Sequence, residues 1–267
     1  MKMELSVIIV NYNGLKYLQN CLESLYDNLK NIHFEIIVVD NNSGDESCHF
    51  IKQYFPDVKL SESKENLGFG KANNYGVQHA DGEFILFLNN DTILLNPIKP
   101  ALEVLKSNQD YGFLTINMLG ENKDYIPAIG KFPSPWKMIK ISFLNDSRKE
   151  FRTGNFDLEK VYQVDWVTGA FMLLRKADFE KVDGFDPDYF MYVEDVDLCK
   201  KIAKLGKIGV FVPKLSYIHF VGFKKSRENM LIQGYQLFAQ KHFSGFSKQL
   251  AIMLLFVNKT VKRLKNY

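Results

Sequence analysis

Leu5-Ser-Val-Ile-Ile-Val10 is an unbroken apolar run that stops at Asn11-Tyr-Asn-Gly14, and Phe34-Glu-Ile-Ile-Val-Val39 stops in the same way at Asp40-Asn-Asn-Ser-Gly-Asp45. Both runs are short and rich in β-branched residues, which suits buried strands. Between them, Leu18, Cys21, Leu22, Leu25 and Leu29 recur at helical spacing, so 17–29 reads as a helix. Helices are also expected over 46–54 and 73–79, followed by the strand Phe84-Ile-Leu-Phe-Leu88. Near-continuous apolar strands separated by helices imply a mostly parallel central sheet with helices on both faces, an α/β fold. Ligands bind such sheets beyond the carboxyl ends of the strands. Three polar segments stand there: Asn11-Tyr-Asn-Gly14, Asp40-Asn-Asn-Ser-Gly-Asp45 and Asn89-Asn-Asp-Thr92. Any one of them would pass for a turn or a helix cap; three in succession on one sheet edge point to a site.

The remainder of the chain bounds the class. At 267 residues there is room for one large domain, and 46% hydrophobic with 24% charged residues is ordinary for a globular protein. A net charge of +3 is too small to argue for nucleic acid. Cys21, Cys48 and Cys199 form no CxxC pair, which suits a reduced, cytoplasmic protein rather than a disulfide framework. The first apolar run is too short for a signal peptide, and no stretch approaches the roughly 18 apolar residues of a membrane span. The stretch from about 120 to 161, with Pro127, Pro133, Pro135 and Trp136, has few periodic signals and reads as a lid or binding segment. A further helix is expected over 194–205, acidic at its start, with Lys200, Lys201 and Lys204 toward its end and Gly206 as its stop. Leu250-Ala-Ile-Met-Leu-Leu-Phe-Val257 precedes Lys259, Lys262, Arg263 and Lys265. This segment suits either a helix lying on an anionic membrane surface or a last helix packed on the core.

Asp91, at the end of an apolar strand, is a candidate ligand for a hard divalent ion, whose other positions phosphate and water would fill. Glu194, Asp195 and Asp197 form the densest acidic group, just after the aromatic Asp186-Pro-Asp-Tyr-Phe-Met-Tyr192. A carboxylate in such a partly dry setting suits a general base, and Asp195 is the choice. His219, by itself, reads as a satisfied polar group. Asn66-Leu-Gly-Phe-Gly-Lys-Ala-Asn73 lacks both the third glycine of a dinucleotide fingerprint and the Lys-Ser/Thr of a P-loop.

Taken in order, Val7-Ile-Ile-Val-Asn-Tyr-Asn13, Val38-Val-Asp-Asn-Asn-Ser43, Asn66-Leu-Gly-Phe-Gly-Lys-Ala-Asn-Asn74, Phe87-Leu-Asn-Asn-Asp-Thr92, Gly169-Ala-Phe-Met-Leu-Leu-Arg175, Gly184-Phe-Asp186 and Glu194-Asp-Val-Asp-Leu198 resemble family 2 glycosyltransferases, nearest to their bacterial rhamnosyltransferase-like branch. The resemblance runs from about residue 5 to 222. It implies a GT-A domain over 1–222, with a Rossmann-like nucleotide-sugar-binding half to about 115 and an acceptor-binding half after it. Residues 223–267 would be a helical, membrane-associating extension.

By position, the resemblance places Asn11, Tyr12, Asp40, Asn66, Gly68, Asn73, Asn90 and Asp91 at the nucleotide and donor sugar. It places Trp166, Gly169 and Asp197 at the acceptor, Asp195 with Glu194 at the catalytic position, and Asp91 with His219 at a Mg or Mn ion. Asn89 stands where the family's DxD pattern has its first acid, and Lys201 where relatives carry Arg, which is not an equivalent group at a bidentate site. The implied activity is inverting sugar transfer from a nucleotide-diphosphate donor, dTDP-rhamnose or a UDP-sugar, to a hydroxyl of a glycan or lipid-linked saccharide in envelope polysaccharide synthesis. It would take place in the cytoplasm or peripherally on the inner membrane face, without nucleic acid. The alternative is a non-catalytic nucleotide-sugar-binding protein on the same fold. A nucleotidyltransferase would bring a Gly- and Arg/Lys-rich loop after the first strand, where Asn11-Tyr-Asn-Gly14 stands instead.

Overall fold

The computed structural model describes residues 2–144, 146–220 and 227–265. In chain order the elements begin with β1 (Leu5–Asn11), α1 (Leu15–Asn28), β2 (Phe34–Asp40), α2 (Ser47–Tyr54), β3 (Lys59–Glu62), α3 (Gly68–Val77) and β4 (Phe84–Asn89). The middle of the chain supplies β5 (Thr92–Leu94), α4 (Lys99–Ser107), β6 (Tyr111–Leu119), β7 (Ile129–Gly130), α5 (Lys149–Thr153), β8 (Tyr162–Val164), β9 (Trp166–Val167) and β10 (Phe171–Arg175). After these come α6 (Lys176–Lys181), α7 (Glu194–Lys204), β11 (Ile208–His219), α8 (Arg227–His242) and α9 (Gly245–Lys265). Two 3-10 turns, Pro135–Ile139 and Ile141–Leu144, interrupt the otherwise irregular stretch after β7.

The main sheet runs β3-β2-β1-β4-β10-β6-β11-β5, with β8 also paired to β11. As the apolar runs predict, β2, β1 and β4 are parallel, and β3, which the sequence did not mark, adds a fourth parallel strand at the edge. Strand β10 joins in the opposite sense, antiparallel to both β4 and β6, whereas β6 and β11 run the same way as the first four strands. The apolar strands are buried on both faces. Val7, Ile9 and Leu86 pack on one side with Leu18, Leu22 and Leu25 of α1; Ile8, Ile85 and Phe87 pack on the other with Phe179, Phe185 and Leu198. Helix α3 begins at Gly68 rather than near Asn73. Gly68 sits at φ +77°, where a Cβ would lie 2.2 Å from the Phe190 carbonyl oxygen, so the glycine is needed both for conformation and for room.

The expected division at residues 222/223 lies outside the described residues. Helices α8 and α9 are no loose appendage to the sheet. They build a third apolar cluster, in which Tyr235, Phe238, Ala239, Leu250, Leu254 and Leu255 meet Met138, Leu144, Val193 and Val196. A polar tie joins them to α7, where His242 Nε2 lies 2.7 Å from Asp197 Oδ1 with both side chains almost fully buried. The Tyr189 hydroxyl donates to the same oxygen at 3.3 Å. A carboxylate buried this deeply depends on such partners. Replacing His242 by Ala is therefore expected to lower the free energy of unfolding by about 3 kcal/mol, read as a shift of the urea midpoint. A change below a few tenths of a kcal/mol would mean that the pair does not hold the helices together.

Candidate active site

The parallel register decides where the polar segments go. Asn11 is opposite Asp40, and Val10 is opposite Asn89, so three strands end at one level. Their side chains then satisfy one another. Asn11 Nδ2 donates to Asp40 Oδ1 at 2.9 Å, and Asn90 Nδ2 donates to Asn11 Oδ1 at 2.7 Å. Asn41 Nδ2 donates to Asn66 Oδ1 at 2.9 Å, and Asn66 Oδ1 also accepts the Gly68 N–H at 2.9 Å. Asp45 accepts the Leu15 N–H at the start of α1 and the Ser47 N–H at the start of α2. Burial alone would raise its carboxyl, but the Ser47 hydroxyl and these backbone donors outweigh that and hold it below the ordinary value. The capping role that turn chemistry suggests is thus real at Asp45, while Asn11, Asp40, Asn66 and Asn90 form a preorganised polar edge.

A cavity of about 480 Å³ opens beside this edge. Of the residues singled out in the sequence it gathers Asp91, Trp166, Gly169, Glu194, Asp195 and His219, and Asn89 with them. Asn11, Asp40 and Asn73 are buried behind it and Tyr12 is about half exposed, so these residues and Asn66, Gly68 and Asn90 border the strand ends without lining the cavity. Strand β11 delivers His219 next to the β4–β5 turn: His219 Nε2 lies 3.1 Å from Asp91 Oδ1 and 3.2 Å from Asn89 Nδ2. Asn89, in the place of an acid, thus meets the histidine directly.

The acidic group enters from α7. Asp195 Oδ2 accepts the Gly169 N–H at 3.1 Å and its Oδ1 accepts the Val196 N–H at 2.8 Å, which orients the carboxylate. Tyr192 and Val193, just before the helix, hold left-handed φ values of +71° and +74°. A β-branched residue rarely adopts that conformation. It turns the chain so that Met191, Tyr192, Glu194 and Asp195 all reach the cavity. Glu194 is buried, and its Oε2 has no hydrogen-bond partner among the described residues. Burial first, then the charges of Asp195 and Asp197, push its carboxyl well above the ordinary 4.5.

Two expectations change. Asp197 does not line the cavity: helical spacing turns it inward to His242, so it anchors α8 rather than meeting an acceptor. Lys201 likewise turns from the cavity, donating to the carbonyls of Val182 at 2.9 Å and Gly184. The sequence reading also missed Phe69, Thr168, Leu231 and Tyr235 as lining residues. Leu231 and Tyr235 are four apart on α8, a spacing readable as a helix face, but nothing in it says which surface that face covers.

The model for glycosyl transferase family 2 matches residues 6–183. The rhamnosyltransferase WbbL of Escherichia coli is 32% identical over 228 residues, covering 80% of this chain and 82% of its own length. The N-acetylglucosaminyl-diphospho-decaprenol L-rhamnosyltransferase of Mycobacterium tuberculosis is 26% identical over 243 residues, covering 84% of this chain and 78% of its own length. Among solved structures, the mannosyltransferase PcManGT of Pyrobaculum calidifontis, in complex with GDP-Man and Mn2+, is similar with a TM-score of 0.63 at 17% identity. That likeness covers 98% of this chain and 75% of the other. The chain belongs to glycosyl transferase family 2. It is a glycosyltransferase with a GT-A fold, as the order of its strand-end segments led us to expect.

The state of Glu194 yields a pH prediction. Its folded value is raised, so between 4.5 and that value the native protein holds a proton that the unfolded chain has lost, and stability falls as pH rises through this window. Glu194→Gln cannot ionise. Its thermal midpoint should gain on the wild type steadily as pH rises above 4.5 and level off once Glu194 is ionised in the fold. A gap that stays constant over the whole range would mean that Glu194 titrates as an exposed group.

Proposed function

We propose that this glycosyltransferase moves a sugar from a nucleotide diphosphate to an acceptor hydroxyl with inversion at the anomeric carbon, and that dTDP-rhamnose is the first donor to try, with UDP-sugars next. The observation that carries this reading is one cavity holding both the Asp91–His219 pair and the oriented Asp195 carboxylate. The rhamnosyltransferase names of the two relatives support the donor class, and the decaprenyl-linked name of one supports a lipid-linked saccharide or glycan acceptor of the cell envelope. Work at the cytoplasmic face of a membrane follows from such an acceptor. Among the described residues no helix is long and apolar enough to cross a membrane.

The residues fit a divalent ion of the open kind. Among the described residues no three His, Cys, Asp or Glu side chains gather to hold a metal. Asp91 Oδ1 and His219 Nε2, 3.1 Å apart at the cavity, offer two ligands, and phosphate oxygens and water complete such a set for Mg or Mn. When bound, the ion neutralises the charge that develops on the departing diphosphate.

The protein's own residues perform the rest. An ionised carboxylate is a proton acceptor through both oxygens, so Asp195 takes the proton of the acceptor hydroxyl while the Gly169 and Val196 N–H groups orient it. The acceptor oxygen bonds to C1 as the bond from C1 to the diphosphate oxygen breaks on the opposite face. The nucleoside diphosphate leaves with that electron pair. Burial, with the charges of Asp195 and Asp197, favours the neutral form of the neighbouring Glu194. Phe69, Trp166 and Tyr235 exclude water from the reacting centre, which favours transfer over hydrolysis.

Binding is tested first, by thermal shift with UDP, dTDP, GDP and ADP, each with Mn, with Mg and with EDTA. A ligand at a hundred times its Kd adds about 2.7 kcal/mol, and a metal-dependent shift with one pyrimidine diphosphate is expected. No shift with any of the four sinks the donor-site reading and favours a fold that has lost its donor. Asp195→Asn should lower transfer about 10²–10⁴-fold while keeping the nucleotide shift. Transfer at the wild-type rate would remove Asp195 from the mechanism.

A further inference from the structure

Helix α9 has two apolar faces. One, made of Leu250, Ala251, Leu254 and Leu255, is buried against Met138 and Leu144 of the 3-10 turns and against α8. The other, made of Phe246, Met253, Phe256, Val257 and Val261, faces solvent, with Phe246 74% and Phe256 65% exposed. The turns that pack on the helix repeat the pattern. Met138 and Leu144 point inward, whereas Trp136 is 70% and Phe143 52% exposed, with Ile139 exposed between them. Asn258 Nδ2 donates to the Ile139 carbonyl at 2.7 Å, which fixes the turn beside the outer face of the helix. Two neighbouring elements thus present large apolar side chains to water, which a water-soluble surface ordinarily avoids.

The charges say what covers them. Residues 131–144 and 245–265 carry eight of the 34 Lys and Arg residues and none of the 31 Asp and Glu. The rest of the chain, with 26 basic against 31 acidic residues, is net negative. A net charge of +3 therefore hides a basic segment pair set on an acidic body. We propose that this face, the turns with Trp136 and Phe143 together with the outer side of α9, docks on an anionic lipid surface. The aromatic rings enter the headgroup boundary while Lys137, Lys140 and Lys259 meet lipid phosphates. A partner surface that was apolar but uncharged would leave the lysines unpaired, and an acidic surface without hydrocarbon would leave the rings in water.

The face has a mechanical link to the cavity. Trp166, Val193, Val196, Leu231 and Tyr235 line the cavity and belong to the same apolar cluster as the buried side of α9 or pack on it. Docking would therefore set the cavity at a fixed attitude to the lipid. The proposal concerns binding alone and holds or fails independently of which sugar is transferred.

The experiment is co-sedimentation of the full chain with vesicles of phosphatidylcholine, with and without phosphatidylglycerol. Binding is expected only where phosphatidylglycerol is present, and it should weaken as salt rises. Trp136→Ser with Phe256→Ser should lower the partition coefficient at least about ten-fold, and Lys137→Gln with Lys140→Gln about five-fold for each charge at low salt. Both double variants should keep the wild-type thermal midpoint and response to nucleoside diphosphates. Equal binding to neutral vesicles, no binding to anionic ones, or variants that bind as the wild type would each overturn the proposal. So would a wild-type dimer in solution that Trp136→Ser with Phe256→Ser dissociates, since a second copy would then cover the face.

Discussion

The structure depends on the lateral register of β1 with its two neighbours. Parallel strands must pair every backbone N–H and C=O, so a shift of one residue would turn each apolar side chain to the opposite face. The register that buries Val7, Ile8 and Ile9 also brings Asn11 level with Asp40, and Val10 level with Asn89. Hydrophobic burial thus aligns three polar strand ends without any of them contributing to the core. Once aligned, they reach one another and the loops that follow the strands, and the Asn11, Asp40 and Asn90 hydrogen bonds, with Ser43 on both Asn11 and Asp40, are the result. Asp91 lies two residues past this level and so emerges at the rim, where β11 has carried His219.

The opposite wall of the cavity is built by constraint from outside. Left-handed backbone at a non-glycine residue costs on the order of 1–3 kcal/mol and persists only where its surroundings hold it. At Tyr192 and Val193 those surroundings include α8. Gly234 lies so close that a Cβ there would sit 2.7 Å from the Tyr192 carbonyl oxygen and equally near the Val193 side chain. The buried Asp197–His242 pair secures the same helix one turn further along α7. The apolar packing of α8 and α9 is thereby coupled to the orientation of Asp195, although neither helix supplies a carboxylate or an imidazole to the cavity.

The sequence disclosed what arises from local periodicity and strand-end chemistry. Strands β1, β2 and β4, helices α1, α2 and α7 and the polar edge were legible, because an apolar run or a helical stripe states its own burial; β3, Lys59-Leu-Ser-Glu62, has no such run and was not. The Gly-rich stretch before Asn73 was legible only in part, since helix α3 starts at Gly68 and glycine argues against a helix until the close approach of Phe190 is known. The antiparallel entry of β10 was not legible: Phe171-Met-Leu-Leu-Arg175 is as apolar as a parallel strand and says nothing of direction. Asp197 misled for a related reason. Glu194, Asp195 and Asp197 look alike in the chain, and only their angles around α7 separate two cavity groups from one buried anchor. Leu231 and Tyr235 escaped because their spacing marks a helix face but not what it faces.

The place of β10 in the sheet also bears on synthesis of the chain. It lies between β4 and β6, yet it is made about fifty residues after β6. While the ribosome is adding the residues between them, β4 ends the first half as an open edge, and β6 has no place beside it to occupy. An open edge is a template for pairing with another chain. The first four strands can assemble as they emerge, but the nascent protein must keep the β4 edge from foreign strands until Phe171–Arg175 arrives and closes it.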